Sequence, residues 1–179
     1  GEVFLGVVHR IDRPVSGVIL FAKTSKALSR LNKLFQERAV KKTYWAVVKN
    51  KPVDDSGKLI HYLKKNQSKN KSYAFNREEK GSSKSELDYK VIKNLHSYYL
   101  LEVKPVTGRH HQIRVQLSTI GSPIKGDVKY GSKRTNSDAS IHLHARKVEF
   151  VHPVKKEKIV ILAPPPSNDP IWKACLHTK

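Results

Sequence analysis

The spacing of apolar residues predicts the elements at the start of the chain. Residues 17–22 form an apolar run that is typical of a strand buried on both faces. A helix follows, with Thr24 or Ser25 as its cap and an end near Glu37 and Arg38. The apolar stripe of this helix recurs at steps of three and four residues and consists of Ala27, Leu28, Leu31, Leu34 and Phe35.

Alternating segments separated by turns predict that most of the middle of the chain is β-structure. Residues 43–48 predict a strand, with Tyr44, Ala46 and Val48 on one side and Trp45 and Val47 on the other. After a turn at residues 54–57, the basic segment up to residue 77 predicts two short strands joined by a polar turn. Residues 86–92 and 98–103 predict a hairpin.

The last third of the chain mixes helix and strand signals. A second helix is predicted over residues 109–120, closed by Gly121. Residues 141–150 and 158–163 predict the last strands, and a short helix follows from residues 169–170. Mostly antiparallel strands with few helices indicate an α+β fold, in which a mixed, mostly antiparallel sheet carries a few flanking helices.

Composition points to the kind of partner. The 179 residues include 35 Lys and Arg against 15 Asp and Glu, a formal net charge of +20. This excess is spread along the chain together with apolar patterning, so it belongs to a folded surface and not to a disordered tail. Such a field attracts polyanions. Nucleic acid is favoured over an anionic membrane, because the basic residues lie mostly in predicted strands and loops and not on an amphipathic helix.

Length and cysteine content narrow the class further. The length suits one domain with a sizeable core, and we expect a monomer. The lone Cys175 cannot form an internal disulfide, which favours a reducing compartment, and we expect a cytoplasmic protein. The longest apolar runs, residues 18–22 and 159–163, are far shorter than the ~20 residues of a membrane span.

Two segments near the start of the chain carry residues suited to chemistry. Asp12 lies between Arg10 and Arg13, and nearby positive charge keeps such a carboxylate ionised, so that it can act as nucleophile or base. From these residues alone an ordinary loop ion pair is favoured over a catalytic role, because surface ion pairs are common. Lys42 and Tyr44 stand at the start of a predicted strand, where Tyr44 can stack on a base or pack in the core.

The third segment, residues 107–114, reads Thr-Gly-Arg-His-His-Gln-Ile-Arg. Thr107 is predicted to cap the second helix, so that backbone N–H groups and Arg109 face an anion such as phosphate. Arg114 lies on a different helix face from Ile113 and can point into a cleft. A capped surface helix with solvated arginines is the alternative.

Several histidines invite comparison with a metal site, namely His110, His111, His142, His144 and His152. No Cys pair, His-Glu-x-x-His helix or paired carboxylates accompany them, so we interpret them as structural or RNA-facing and predict no metal site. A metal-dependent nuclease that uses these histidines is kept as an alternative.

Taken together and in order, the three segments resemble the RluA-type RNA pseudouridine synthase family. They are residues 9–17 (His-Arg-Ile-Asp-Arg-Pro-Val-Ser-Gly), 42–46 (Lys-Thr-Tyr-Trp-Ala) and 107–114. The resemblance continues through residues 121–131, with Gly126-Asp127 and Tyr130-Gly131, and through 143–145 and 163–164. It implies the catalytic fold of that family around a central basic cleft, and conversion of uridine to pseudouridine in ribosomal or transfer RNA without a metal or organic cofactor.

The resemblance also implies roles for individual residues. Asp12 matches the catalytic aspartate, Tyr44 the active-site tyrosine, and Arg114 the basic residue that pairs with the aspartate. Arg10 matches an arginine that takes the place of the flipped nucleotide, and Ile161 an apolar residue near the uracil. We expect further RNA contacts from Arg13, Lys42, Arg109 and Gln112.

One departure from the family concerns the start of the chain. The family ordinarily has a strand containing Lys-Pro ahead of the first motif, whereas eight residues precede His9 here. We therefore expect residues 1–179 to be a catalytic domain without its N-terminal strands and without an S4-type RNA-binding extension. The alternative function is a non-catalytic RNA-binding module on the same fold.

Overall fold

Ten strands and three helices make up the computed structural model, which describes residues 3–176. The short strands are β1 (Gly6–Val7), β2 (Ser16–Gly17) and β3 (Phe21–Ala22). The longer strands are β4 (Lys41–Val48), β5 (Ser56–Asn66), β6 (Lys71–Phe75), β7 (Ser83–Asn94), β8 (Tyr99–Pro105), β9 (Leu143–Val151) and β10 (Lys158–Leu162). The helices are α1 (Ser25–Gln36), α2 (Gln112–Thr119) and α3 (Pro170–Leu176), with a 3-10 turn at Val128–Tyr130.

Eight strands form one sheet in the order β10-β9-β4-β8-β7-β5-β6, and β2 joins it by pairing with β9. All pairs in this sheet are antiparallel except β2 with β9. The separate pair of β1 with β3 is also antiparallel. The predicted α+β class and the predicted hairpin, which is β7 with β8, are therefore confirmed.

The two faces of β4 bury different clusters, as the alternation predicts. Ala46 and Val48 lie in the main core, onto which Ile113 and Leu117 of α2 pack. Val47 faces the opposite way, against Trp172 of α3. Helix α2 therefore lies on one face of the sheet and α3 on the other, which places the start of α2 beside the middle strands.

The helix starts predicted from the local sequence are confirmed for α1 and α3. The Thr24 hydroxyl accepts a hydrogen bond from the Ala27 N–H at 3.1 Å, so Thr24 is the cap of α1. Asp169 accepts from the N–H groups of Ile171 and Trp172 at the start of α3. Among residues 3–176, no helix is both long enough and apolar enough to cross a membrane.

The prediction of one strand over residues 17–22 is wrong, because the chain forms two short strands there, β2 and β3. Residues 16–17 pair with β9, and Gly17 lies so close to that strand that a Cβ would stand 2.3 Å from the Ala145 carbonyl oxygen. Gly17 also has φ of +120°, which turns the chain out of the sheet. Ile19 and Phe21 are consequently exposed, and Phe21–Ala22 pairs with β1 instead.

The predicted start of the second helix is also wrong. Helix α2 begins at Gln112, three residues later than expected, and His111 precedes it in the left-handed conformation with φ of 54°. Thr107 does not cap the helix, because its hydroxyl bonds to the Glu86 backbone and to Gln112. The predicted end at Gly121 is confirmed, with φ of +78°.

Candidate active site

A cleft of about 990 Å³ opens between the loop that contains Asp12, the start of β4 and residues 105–114. Its lining is strongly cationic, with the side chains of Arg10, Arg13, Arg38, Lys42, Lys65, Arg109, Arg114 and Lys129. Asp12 is the one carboxylate among the described residues that line the cleft. The cations therefore attract a polyanion to the cleft, where Asp12 is the single anionic side chain.

Backbone contacts hold the loop of Asp12 in place. The Val15 N–H donates to the Asp12 carbonyl oxygen at 2.9 Å, which closes a tight turn. The Ile141 N–H donates to the Pro14 carbonyl oxygen at 2.9 Å, and the Val15 side chain is buried in the main core. The carboxylate is thus presented from a turn that is anchored on both sides.

Arg114 connects this turn to α2. Its Nη1 lies 3.1 Å from Asp12 Oδ2, and its side chain is 6% exposed. Its Nε and Nη2 donate to the two oxygens of Asp127 at 2.7 and 2.9 Å. Because Asp127 occupies one edge of the guanidinium in a two-point contact, only Nη1 is presented to Asp12.

The surroundings of Arg114 preserve its charge. Burial disfavours the charged form, but the bonds to Asp127 and then to Asp12 outweigh burial and raise the pKa of Arg114 above its ordinary value. The guanidinium also lies over the Tyr130 ring, 5.0 Å from its centre. Asp127 is 1% exposed, so the pair of Arg114 with Asp127 is a buried ion pair beneath the cleft.

Tyr44 lines the cleft from β4, at a point where the register with β9 shifts. Burial and the nearby charge of Asp12 raise the pKa of Tyr44 to about 12. Its phenol is therefore protonated at neutral pH and can offer an aromatic face and an O–H group, but not a phenolate.

The turn before α2 is built around Gln112, whose side chain is used within the protein. Gln112 Oε1 accepts from the Thr107 hydroxyl at 2.7 Å and from the Arg109 N–H at 3.0 Å. Gln112 Nε2 donates to the Glu86 carbonyl oxygen at 3.0 Å. Gln112 is 4% exposed, so it holds the turn against β7 while the Arg109 side chain remains exposed.

The structure brings together all but one of the predicted site residues. Those that line the cleft are Asp12, Tyr44, Arg114, Arg10, Arg13, Lys42, Arg109 and Gln112. Ile161 does not line it, and packs instead against Val18 and Val148. Lys42 is half-buried, and burial lowers the pKa of its ammonium group.

Sequence reasoning gave no role to several residues of the site. Asp127 and Tyr130 belong to residues 126–131, a segment that resembles the family, and this resemblance was the sequence signal that could have found them. The pattern does not, however, indicate that either residue contacts Arg114. Lys129 and Arg38 come from separate elements and follow no local motif, whereas Lys65 belongs to the basic segment up to residue 77, which was expected to bind RNA. Only the tertiary fold brings these cations to one cleft.

Four of the five histidines considered as metal ligands lie in two separate regions, and His152 lies apart from both, in the turn after β9. His110 and His111 stack at the cleft, with ring centres 3.7 Å apart. His142 and His144 are buried beside Trp172 on the side of α3. Within residues 3–176, no group of three or more His, Cys, Asp or Glu side chains is arranged to hold a metal ion.

An α+β fold with a cationic cleft around one carboxylate is the architecture that the sequence resemblance implies. A family model described as RNA pseudouridylate synthase matches residues 1–119. The chain belongs to this family, and the predicted RluA-type membership is confirmed.

Named relatives and a solved structure agree with this assignment. The chain is 35% identical over 167 residues to ribosomal large subunit pseudouridine synthase C of Vibrio cholerae serotype O1, covering 90% of this chain and 52% of that protein. It is 33% identical to tRNA pseudouridine synthase C of Vibrio parahaemolyticus, covering 93% and 73%. Human RNA pseudouridylate synthase domain containing 4 superposes with a TM-score of 0.76 at 26% identity, covering 91% of this chain and 72% of that one. The chain spans about half the length of the first of these relatives.

Proposed function

We propose that this chain is the catalytic domain of an RNA pseudouridine synthase that acts on ribosomal or transfer RNA, with Asp12 as the catalytic carboxylate. The observation that carries the proposal is the position of Asp12, alone among cations in the cleft and 3.1 Å from the buried Arg114. The names of the relatives support an RNA substrate, since they include both ribosomal and transfer RNA enzymes.

The reaction needs no second substrate. The bond from uracil N1 to C1′ breaks, the bond from C5 to C1′ forms, the proton on C5 leaves to solvent, and N1 takes up a proton. Glycosidases that cleave a comparable bond use two carboxylates, one of which protonates the leaving group. Here one carboxylate suffices, because the uracil leaves as an anion and is recaptured before water enters. Asp12 either attacks the sugar or removes a sugar proton.

The neighbours of Asp12 divide the remaining tasks. Arg114 holds the carboxylate in one orientation through Nη1, while Asp127 fixes the guanidinium. Tyr44 stacks on the uracil as a protonated phenol, a contact worth about 1 to 3 kcal/mol for a base on an aromatic ring. Its O–H group is then available for the proton transfer at C5.

The cationic lining binds the RNA backbone and accepts an extruded nucleotide. A base within a helix cannot reach Asp12, so the target uridine is unpaired or flips out at a cost of a few kcal/mol. Arg10 is exposed at the mouth of the cleft and is suited to fill the gap that the nucleotide leaves. Arg13, Lys42 and Arg109 contact phosphates, whereas Gln112 acts through the turn that it holds.

The test follows the hydrogen that leaves C5. Ribosomal and transfer RNA carrying tritium at uridine C5 is incubated with wild-type protein, Asp12→Asn and the control Asp88→Asn, which removes a carboxylate from β7 outside the cleft. We expect tritium release by the wild type and the control, and a loss of at least about a thousandfold in Asp12→Asn with RNA affinity retained. Equal release by Asp12→Asn would refute the role of Asp12.

The same experiment separates the enzyme from a binding module. Salt-sensitive RNA binding by the wild type without tritium release from either RNA would favour the non-catalytic alternative.

A further inference from the structure

Behind Asp12 stands a second group that the reaction scheme does not use. The His111 ring is buried, and its Nε2 lies 3.8 Å from Asp12 Oδ2. Its other nitrogen, Nδ1, lies 2.8 Å from the Tyr130 hydroxyl. The left-handed backbone of His111 at the start of α2 places the ring between these two partners.

The hydrogen bonds of Tyr130 determine which nitrogen of His111 carries the proton. The backbone N–H of Ser72 on β6 donates to the Tyr130 hydroxyl oxygen at 2.8 Å. Tyr130 is 4% exposed, so its own proton needs a partner inside the protein, and His111 Nδ1 is the acceptor within reach. Since Nδ1 accepts, a neutral His111 carries its proton on Nε2, the nitrogen that faces Asp12.

Burial and the charges around the ring keep His111 neutral. Burial is the largest cause, and electrostatic repulsion from Arg114, His110 and Lys129 adds to it against the opposing effect of Asp127. Together they lower the pKa of His111 to about 3. The ring is therefore uncharged at neutral pH. A cationic His111 would compete with Arg114 for Asp12, and this competition is absent.

We propose that Tyr130 and His111 are positioning residues, and that the Tyr130 hydroxyl locks His111 as the Nε2–H tautomer so that an N–H group, and not a lone pair, faces the Asp12 carboxylate. With the other tautomer, the Nε2 lone pair would repel the carboxylate oxygen 3.8 Å away. Together with Arg114, the N–H group then orients Asp12 towards the substrate. The importance of this orientation for turnover rests on the proposed function. The assignment of the His111 tautomer does not depend on it.

Nitrogen-15 NMR of histidine side chains tests the tautomer without any assay of activity. Long-range proton–nitrogen spectra of the wild type between pH 6 and 8 are expected to show His111 protonated on Nε2 alone. The His111 signals are identified by their loss in His111→Asn, because Asn tolerates the left-handed backbone. A proton on Nδ1, or a His111 that titrates in this pH range, would overturn the proposal.

The variant Tyr130→Phe tests the lock, since it keeps the ring beneath Arg114 and removes only the hydroxyl. We expect a mixture of His111 tautomers and a fall of about tenfold in tritium release at saturating RNA, with RNA affinity unchanged. Tyr89→Phe is the matched control, because it removes the hydroxyl of another buried tyrosine, which donates to the Asp54 carbonyl oxygen outside the cleft. An unchanged tautomer in Tyr130→Phe, or an equal loss in Tyr89→Phe, would refute the lock. If wild-type protein releases no tritium at all, the proposed function fails while the NMR result still decides the tautomer.

Discussion

The two longer helices are built in opposite ways. Helix α1 has 12 residues, a side-chain cap at Thr24 and no fully buried residue. Helix α2 has 8 residues and no side-chain cap, and its buried residues are Gln112, Ile113, Arg114, Val115, Gln116 and Leu117. Local signals account for α1, whereas contacts with distant strands hold α2 in place.

The buried polar residues of α2 show what those contacts achieve. Gln116 Nε2 donates to the Leu59 carbonyl oxygen at 3.2 Å and lies 3.1 Å from His61 Nδ1, both on β5. Gln112 joins the helix to β7, and Arg114 joins it to Asp127 and Asp12. Each of these bonds fixes the rotation of α2 against the sheet. A helix that carries site residues is thereby held more firmly than its own sequence would hold it.

The strongest test of this difference is Arg114→Ala. Truncation leaves the carboxylate of Asp127 buried without its partner, so we expect the free energy of unfolding to fall by about 3 to 5 kcal/mol. Tritium release from RNA is also expected to be lost, because Asp12 loses its only cation at hydrogen-bond distance among the described residues. Urea denaturation and the tritium assay measure the two effects.

The matched change on the other helix is Arg30→Ala, at an exposed position of α1. Its expected effect on the free energy of unfolding is below about 0.5 kcal/mol. Arg114→Lys keeps the charge without the two-point contact and should fall between the two alanine variants. Similar small losses in Arg114→Ala and Arg30→Ala would show that the buried ion pair contributes nothing to α2.

A smaller effect is expected from Gln112→Ala. The Thr107 hydroxyl and the Arg109 N–H lose their acceptor, and the free energy of unfolding should fall by about 2 kcal/mol. Ser29→Ala, at an exposed position of α1 outside the cleft, is expected to change it by less than about 0.5 kcal/mol. Urea denaturation and RNA binding separate two explanations. Weakened binding at unchanged stability would mean that Gln112 contacts RNA and does not support the turn.

The same contrast explains what could be predicted from the sequence. The apolar stripe and cap of α1, the alternation of β4 and the hairpin of β7 with β8 depend on neighbours along the chain, and all three predictions were correct. The start of α2 depends on Thr107 and Gln112 bonding to Glu86, more than 20 residues away, which no local pattern contains. The break after Gly17 depends likewise on close contact with Ala145.

The site could be predicted only where its residues lie in segments that resemble the family. Asp12, Tyr44 and Arg114 lie in three such segments, and the fold brings them to one cleft. Ile161 was assigned by its position before the last motif, but it packs against Val18 and Val148 and does not line the cleft. The contacts of Asp127 and Tyr130 with Arg114 and His111 require the tertiary structure, because a sequence pattern does not show which buried groups meet.

The smallest expected effect concerns the cap of α1. Thr24→Ala removes the acceptor for the Ala27 N–H and should lower the free energy of unfolding by about 1 kcal/mol. Ser25→Ala, at the next position, is the control and should lower it by less than half as much. Because α1 holds its conformation through local bonds, we expect RNA affinity and tritium release to be unchanged in both variants. A loss of activity in Thr24→Ala that matches its loss of stability would show that α1 is coupled to the cleft as tightly as α2.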